Sequence, residues 1–152
     1  NFGFLSLNKT KIQMGIIKAQ IELVNPDDLV RVDDKRIRED EVRKMTITAI
    51  VDTVAYMLCI NQTIRQQLGF RRVGYQSAEL ADGTVTTLEV VGPVIVNFKN
   101  RNTMCRALVI PGDSPCLLGS IPMEDLDVVL VPLKQTIDIN PEHPLVAQTL
   151  LK

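Results

Sequence analysis

The sequence predicts an all-β domain, mostly antiparallel, with one or two short helices. Apolar and polar residues alternate in several short stretches, such as 17–23, which is typical of half-buried strands. Turn-forming residues separate these stretches at short spacing, and the Asp82-Gly83 pair is the strongest signal of a tight hairpin. Helix-start signals occur only before short segments, near Asn61 and Pro122. Many short strands with turns between them are typical of a mostly antiparallel β domain.

Length and charge limit the class of protein. The chain has 152 residues, which suits one domain, predicted over 14–152. Its 17 Lys and Arg against 18 Asp and Glu give no electrostatic footprint for nucleic acid or an anionic membrane. No stretch approaches the roughly 20 apolar residues of a membrane-spanning helix, and the N-terminus lacks the order of a signal peptide. We therefore expect a soluble cytoplasmic protein with no nucleic-acid and no membrane partner.

The first strand is predicted just after an atypical leading segment. Residues 1–13 are either a natural extension or an artificial remnant, and the sequence is compatible with both. Apolar residues then occupy every second position from Ile17 to Leu23, which predicts a half-buried strand. Asn25-Pro26 ends it, because proline removes a donor of the sheet. The charged segment 31–44 is expected to be an exposed strand or loop.

A carboxylate at the end of the second predicted strand is the most informative feature of the chain. The stretch 45–51 is apolar and β-branched, and Asp52 follows it directly. An ionisable group there is costly unless something uses it, and strand ends are common places for a catalytic acid. The alternative is a structural aspartate that accepts hydrogen bonds from local backbone N–H groups as an Asx turn.

A short helix is predicted after the next apolar stretch, 56–60. Asn61 can cap its first turn, Gly69 can end it, and Ile64 and Leu68 share one face. Two hairpins are then expected. One has its turn at Asp82-Gly83, and the other has its turn at the polar segment 99–102.

The last part of the chain predicts a small strand, a helix and a strand. Leu117-Leu118-Gly119 reads as a short apolar strand, Pro122 suits the first turn of a helix, and 128–131 is the last predicted strand before a proline-containing tail. The acidic residues Glu124, Asp125 and Asp127 are interpreted as a solvated helix edge rather than a metal site.

The cysteines and the histidine do not predict a cofactor or metal site. Cys59, Cys105 and Cys116 are an odd number without metal-ligand spacing, which indicates reduced, packed thiols. His143 stands alone in the tail. Glycine-rich phosphate loops are absent from the sequence. We expect no cofactor and no bound metal.

Three motifs in order resemble a known family. Val51-Asp52-Thr53-x-Ala55, then Leu80-Ala81-Asp82-Gly83, then Leu117-Leu118-Gly119 followed by a short helix are similar to the retropepsin-like aspartic peptidases of clan AA. The similarity is to small prokaryotic members with one catalytic aspartate per chain, and it covers most of the chain from Met14 onward. Each motif alone is common, whereas their order and spacing together are moderately specific.

The resemblance implies a fold and an activity. The fold would be a retropepsin-like closed barrel, and the activity that of an aspartic endopeptidase, a hydrolase acting on peptide or protein substrates. Catalysis would use a homodimer in which two Asp52 residues share one water and one proton, with Thr53 reaching across the two-fold axis. A hairpin flap containing Leu80, Ala81, Asp82 and Gly83 would close over an extended peptide.

One position departs from the family pattern. The family has glycine after Asp-Thr, where this chain has Val54. In one outcome the turn keeps its path, Val54 packs against apolar neighbours and some activity survives. In the other the turns are pushed apart, and the protein is a catalytically silenced homodimer that acts as a peptide-binding or structural module. An unrelated β-barrel requires the order of motifs to be coincidence.

Overall fold

The computed structural model describes residues 15–80 and 82–151. The predicted segment 1–13 lies outside the described residues. The elements are nine strands and three α-helices: β1 (Lys18–Val24), α1 (Pro26–Asp33), β2 (Lys44–Val51), β3 (Leu58–Asn61), α2 (Gln62–Leu68), β4 (Arg72–Glu79), β5 (Val85–Phe98), β6 (Arg101–Ile110), β7 (Leu117–Leu118), α3 (Ser120–Leu126), β8 (Val128–Val131) and β9 (Thr136–Ile139), with 3₁₀ turns at Glu39–Glu41 and Pro132–Lys134.

The main sheet closes into a barrel. Its strand order is β1-β2-β7-β3-β6-β5-β4, and an additional pairing between β1 and β5 joins the two sides. That pairing brings Leu23 opposite Val96 and leaves β4 outside the closed ring as an edge strand. Closure removes the edges of the ring itself, and among the described strands of this sheet β4 keeps an unpaired edge. The predicted all-β class and the closed barrel are confirmed.

The first two strands form an antiparallel pair, with Ile21 opposite Ile47. Side chains alternate between core and surface along β1, as predicted, because successive residues of a strand point to opposite faces. The pair places the start of β2 beside the end of β1. Segment 25–43 therefore lies at one end of the barrel, and Asp52, after β2, lies at the other.

The helix α2 is confirmed, and both of its ends show the predicted chemistry. The side chain of Asn61 accepts a hydrogen bond from the backbone N–H of Ile64 at 2.9 Å. Gly69 ends the helix in the left-handed region, with φ of 66°. A β-carbon at 69 would meet the guanidinium end of the long Arg43 side chain, so the left-handed backbone conformation is the main reason for glycine here.

The helix α1 corrects the prediction for the charged segment. Asn25 and Pro26 end β1 as expected, but they also begin a helix, because the Asn25 side chain caps the N–H of Asp27 and proline suits the first turn. The helix continues to Asp33, so only part of 31–44 is loop. We count three α-helices in the described residues, one more than the upper end of the prediction.

A buried aspartate fastens α1 to the barrel. Asp28 is 2% exposed, and its carboxylate accepts three hydrogen bonds from Arg43, one from the backbone and two from the guanidinium, at 2.9–3.0 Å. Arg31 adds an ion pair at 2.5 Å. The hydrogen bonds from Arg43 hold the pKa of Asp28 well below its usual value, and the pair links the charged segment to the start of β2.

Both predicted hairpins are present. Strands β4 and β5 pair antiparallel with Glu79 opposite Val85, and β5 and β6 pair with Phe98 opposite Arg101. After these, β7 forms a short parallel pair with β2, and α3 follows it as predicted. The last predicted strand, β8, is also confirmed. It pairs with β9, a further strand in the segment that was predicted to be a tail.

The three cysteines are free thiols, with Cys59 and Cys116 buried, as the sequence indicated. Within 15–80 and 82–151, no helix is both long and apolar enough to cross a membrane. The same residues contain no group of three or more His, Cys, Asp or Glu side chains arranged to hold a metal ion.

Candidate active site

Asp52 directly follows β2 in the interior of the barrel's open end. Its backbone N–H donates to the carbonyl of Leu118 at 3.1 Å, so the parallel pairing of β2 with β7 continues to this residue. Asp52 is 1% exposed. The position is therefore fixed by two strands that lie far apart in the sequence.

Within the described residues, one of the two carboxylate oxygens of Asp52 accepts hydrogen bonds. Its Oδ1 accepts hydrogen bonds from the backbone N–H groups of Val54 at 3.0 Å and Ala55 at 3.3 Å, which is the local contact of an Asx turn. Among the described residues, no donor bonds to Oδ2, and no Lys, Arg or His forms an ion pair with Asp52. A buried carboxylate normally has such partners. The structural alternative accounts for one oxygen and leaves the other available.

The turn after Asp52 is held against the start of α3. The carbonyls of Ala55 and Tyr56 accept hydrogen bonds from the N–H groups of Ser120 and Ile121, both at 2.9 Å. These contacts require close approach at Gly119, where a β-carbon would overlap the backbone of Tyr56 and Met57. The glycine of the Leu-Leu-Gly motif thus permits the packing that fixes the Asp52 turn.

A groove of about 620 Å³ lies in front of Asp52. Its walls come from the Asp52 turn, from β3, β6 and β7, and from the edge strand β4; the lining residues are Asp52, Val54, Ala55, Tyr56, Met57, Cys59, Gln76, Ser77, Ala78, Glu79, Leu80, Leu108 and Leu117. Two depressions of about 680 and 740 Å³ elsewhere on the barrel are not lined by Asp52. The carboxylate therefore belongs to one groove with largely apolar walls.

The face of β4 that looks into the groove follows from its alternation. Ala78 packs against the small buried cluster of Cys59, Leu88, Ile110 and Leu117. Gln76, two residues earlier and opposite Leu88, shares that face by the alternation of a strand. Ser77 and Glu79 also border the groove, so its lining includes one amide and one acidic residue from β4.

The Cys59 thiol lies close enough to Asp52 to sense its charge. Burial is the main reason why the pKa of Cys59 is raised to about 12, and the negative charges of Asp52 and Cys116 add to the effect. A thiol with this pKa remains protonated at neutral pH and is a poor nucleophile. Cys59 is a wall of the groove rather than a reactive group.

The predicted flap is a hairpin, but only one end of its motif reaches the groove. Leu80 lines the groove, while Asp82 and Gly83 occupy the exposed tip; Ala81 lies outside the described residues. Asp82 accepts hydrogen bonds from the hydroxyl and the N–H of Thr84, which lower its pKa. Gly83 has φ of 86°, as a tight turn requires.

Thr53 and Val54 both lie on the surface beside the buried Asp52. Thr53 is exposed, and Val54 is 54% exposed rather than packed sideways into apolar neighbours. Val54 does not have the positive φ that would favour glycine. The turn therefore accepts valine without backbone strain in a single chain, and any steric effect of Val54 acts outward.

Sequence reasoning missed most of the groove walls. Tyr56, Met57, Gln76 and Leu108 have the residue types of ordinary strand and loop positions, and no local pattern separates them from other residues of the barrel. Only pairing between distant strands brings them together. Asp52 and Leu80 share the groove. The catalytic roles of Asp52 and Thr53 and the substrate-binding roles of Leu80, Ala81, Asp82 and Gly83 all stay predictions.

The acidic residues near the end of α3 divide into two kinds. Glu124 and Asp125 are exposed, as predicted for a solvated edge. Asp127 instead holds the tail, because it contacts His143 Nδ1 at 2.6 Å and accepts from the N–H of Gln148 at 3.0 Å. These hydrogen bonds, with that of Gln148 the strongest influence, lower the pKa of Asp127 to about 2. His143 is thus part of a structural contact.

Comparison with known proteins gives similarity to solved structures. No family model and no curated protein sequence matches the chain. Among solved structures, the chain is similar to the EIAV protease complexed with the inhibitor HBY-793, with 25% sequence identity, coverage of 57% of this chain and 82% of that chain, and a TM-score of 0.45. A superposition this loose does not transfer the role of any residue to this chain.

Proposed function

We propose that this chain is an aspartic-type endopeptidase of the retropepsin kind. The observation that carries the proposal is the carboxylate of Asp52, which is buried at a strand end beside a largely apolar groove and, among the described residues, forms no ion pair and accepts hydrogen bonds through one oxygen. The other oxygen can accept a hydrogen bond from a water or a substrate in the groove.

The chemistry requires a second carboxylate, and a second copy of the chain is the proposed source. Two Asp52 side chains about 3 Å apart cannot both ionise, so they share one proton. The ionised member takes a proton from the water that attacks the peptide carbonyl. The protonated member donates to the carbonyl oxygen, and the pair is regenerated when the amine leaves. Thr53, exposed next to Asp52, is proposed to contact the partner's turn.

The proposed substrate is an extended peptide. Strand β4 borders the groove, and its outer edge is not paired with another strand of the part of the chain that the structure describes, so it can add a peptide strand through backbone hydrogen bonds. The hairpin tip with Leu80, Ala81, Asp82 and Gly83 would then cover the peptide. The free thiols of Cys59, Cys105 and Cys116 fit a reducing compartment, and a cytoplasmic location remains part of the proposal.

The test is cleavage of a broad peptide library by the purified protein, with products identified by mass spectrometry. We expect cleavage with an acidic to near-neutral optimum, since one carboxyl must stay protonated. Asp52→Asn should reduce the rate by more than about a thousandfold, because it removes the proton-transfer group. Asp40→Asn, in the exposed 3₁₀ turn at the other end of the barrel, is the matched control and should retain cleavage. Cleavage by Asp52→Asn at the rate of Asp40→Asn would refute the assignment.

The second candidate is a silenced homodimer that binds peptides, and Val54 favours it. Its side chain projects outward beside Asp52, where the partner's turn must approach. If the wild-type chain cuts no peptide while Val54→Gly cuts in a manner that Asp52→Asn abolishes, this candidate replaces the first. If neither the wild type nor Val54→Gly cuts or binds any peptide of the library, both candidates fail.

A further inference from the structure

Glu79 is a second acidic residue of the groove, and the proposed catalytic chemistry does not use it. It is the last residue of β4, opposite Val85, and it lines the groove together with its neighbour Leu80. Among the described residues that line the groove, Asp52 and Glu79 are the acidic ones, and no Lys, Arg or His accompanies them. The groove lining is therefore acidic, although the charges of the whole chain nearly balance.

The carboxylate of Glu79 has no hydrogen-bond or ion-pair partner within 15–80 and 82–151. Glu89, on the neighbouring strand β5, differs in this respect, because it forms an ion pair with Arg65 at 3.3 Å. Exposed acids without an ion pair also occur elsewhere, as at Glu124 on α3, but Glu124 does not line the groove. Glu79 therefore combines an unpaired carboxylate with a place in a ligand-sized groove.

The walls of the groove favour a cation with an apolar stem beside Glu79. Met57, Leu108 and Leu117 line the groove, and apolar walls reduce the screening of a charge by water. The exposure of Glu79 keeps the gain modest. A Lys or Arg side chain fits these surroundings, because its methylene groups can lie along apolar walls while its charged end donates hydrogen bonds to a carboxylate. An acidic side chain in the same place would be repelled.

We infer that Glu79 is a specificity residue, which selects peptides that carry a Lys or Arg side chain next to the apolar residues held in the groove. The inference rests on the proposed function, since it takes a peptide as the ligand. Gln76 and Ser77 line the same wall and can accept further hydrogen bonds from the cation. Glu79 takes no part in proton transfer, so it changes the affinity for the peptide and leaves the chemical step unchanged.

The first experiment measures peptide binding to Asp52→Asn by fluorescence polarisation at pH 7, because this variant should not cut the probe. The probes are apolar peptides in which Lys, ε-acetyl-lysine or Glu replaces one position at a time. Acetylation keeps the stem of lysine and removes its charge. At one or two positions Lys should bind about fivefold more tightly than acetyl-lysine. Adding Glu79→Gln should abolish this preference, and adding Glu79→Lys should reverse it in favour of Glu.

Glu124→Gln, also in the Asp52→Asn background, is the matched control. It removes one negative charge from an exposed acid that has no ion pair among the described residues, as Glu79→Gln does, but it lies outside the groove lining. This variant should retain the preference for Lys. Loss of the preference in both variants would show that the net charge of the protein attracts the cation, and it would overturn the inference.

The second experiment measures cleavage of the preferred Lys peptide in the Asp52 background. Glu79→Gln should raise KM about fivefold and leave kcat unchanged, as expected for a residue that acts on binding. A fall in kcat with an unchanged KM would overturn the assignment of Glu79 as a specificity residue.

The two experiments separate the inference from the proposed function. Equal affinity for Lys and acetyl-lysine peptides, a preference that survives Glu79→Gln, or no binding of any probe overturns the inference. Cleavage that depends on Asp52 but ignores the charge of the peptide would leave the proposed function standing. A preference for Lys that depends on Glu79, without cleavage by any variant, would support the inference and refute the peptidase.

Discussion

The two ends of β2 each carry a buried aspartate, and the two have opposite surroundings. Asp28, beside the start of the strand, is 2% exposed and is bonded by Arg43 and Arg31. Asp52, after its end, is 1% exposed, and within 15–80 and 82–151 the groups that bond to its carboxylate are backbone N–H groups. Burial is the same for both, so the partners of the carboxylate distinguish an acid that stabilises the fold from one available for chemistry.

The largest expected difference between the two ends is in stability. Asp28→Asn should lower the free energy of unfolding by about 2 kcal/mol, because it weakens charge-assisted hydrogen bonds, although the partial exposure of Arg43 limits the loss. Asp52→Asn should cost less than about 0.5 kcal/mol, because an amide oxygen can still accept from Val54 and Ala55. Urea denaturation of both variants at equal protein concentration measures this. Equal losses of stability in the two variants would contradict the distinction between a stabilising carboxylate at Asp28 and an available one at Asp52.

Acid titration should give a smaller difference of the same kind. The pKa of Asp28 is lowered from 3.8 in the folded state, so the unfolded state binds more protons between the two pKa values. The contribution of Asp28 is therefore present above about pH 4 and is lost as the pH falls through the folded pKa. Wild type and Asp28→Asn should converge in stability in acid, as measured by urea denaturation between pH 2 and pH 6. A difference in the free energy of unfolding that does not change with pH would indicate that Asp28 acts through packing rather than through its charge.

The smallest expected effect concerns Cys59. The charge of Asp52 adds to burial in raising the pKa of this thiol, so Asp52→Asn should modestly increase its rate of alkylation at pH 8–9. Asp28→Asn, at the far end, should leave the rate unchanged. Peptide mapping after iodoacetamide treatment separates Cys59 from the other two thiols. Equal rates in all three proteins would show that Asp52 carries no charge felt at Cys59.

Local chemistry made some elements predictable. The caps Asn61 and Gly69 act within one helical turn, so the sequence was sufficient to bound α2. The same kind of signal was misread at Asn25-Pro26, because turn residues that end a strand are also the residues that begin a helix. The partner of Asp28 lies 15 residues along the chain, and no local pattern indicates which of several arginines it will be.

The groove shows the limit of prediction most clearly. Asp52 was identifiable because a carboxylate after an apolar strand is unusual. Leu108 and Leu117 have the same pattern as core leucines, and only the closure of the barrel decides that they border a groove. The structure was also needed to show that Val54 is exposed and that its backbone does not have a positive φ. The sequence therefore indicated the acidic residue of the site but not the residues that form the walls of the groove.

The bond between Asp52 and Leu118 has a consequence for the order in which the protein forms. Contacts between distant residues form late in folding, because a long loop has to close first. During synthesis, Asp52 leaves the ribosome well before Leu118 and before Gly119, which packs against the Asp52 turn. In a nascent chain Asp52 is therefore present before the residues that fix its position. The geometry of the Asp52 turn therefore depends on the last quarter of the chain, and a chain that ends before Leu118 lacks the contacts that position Asp52.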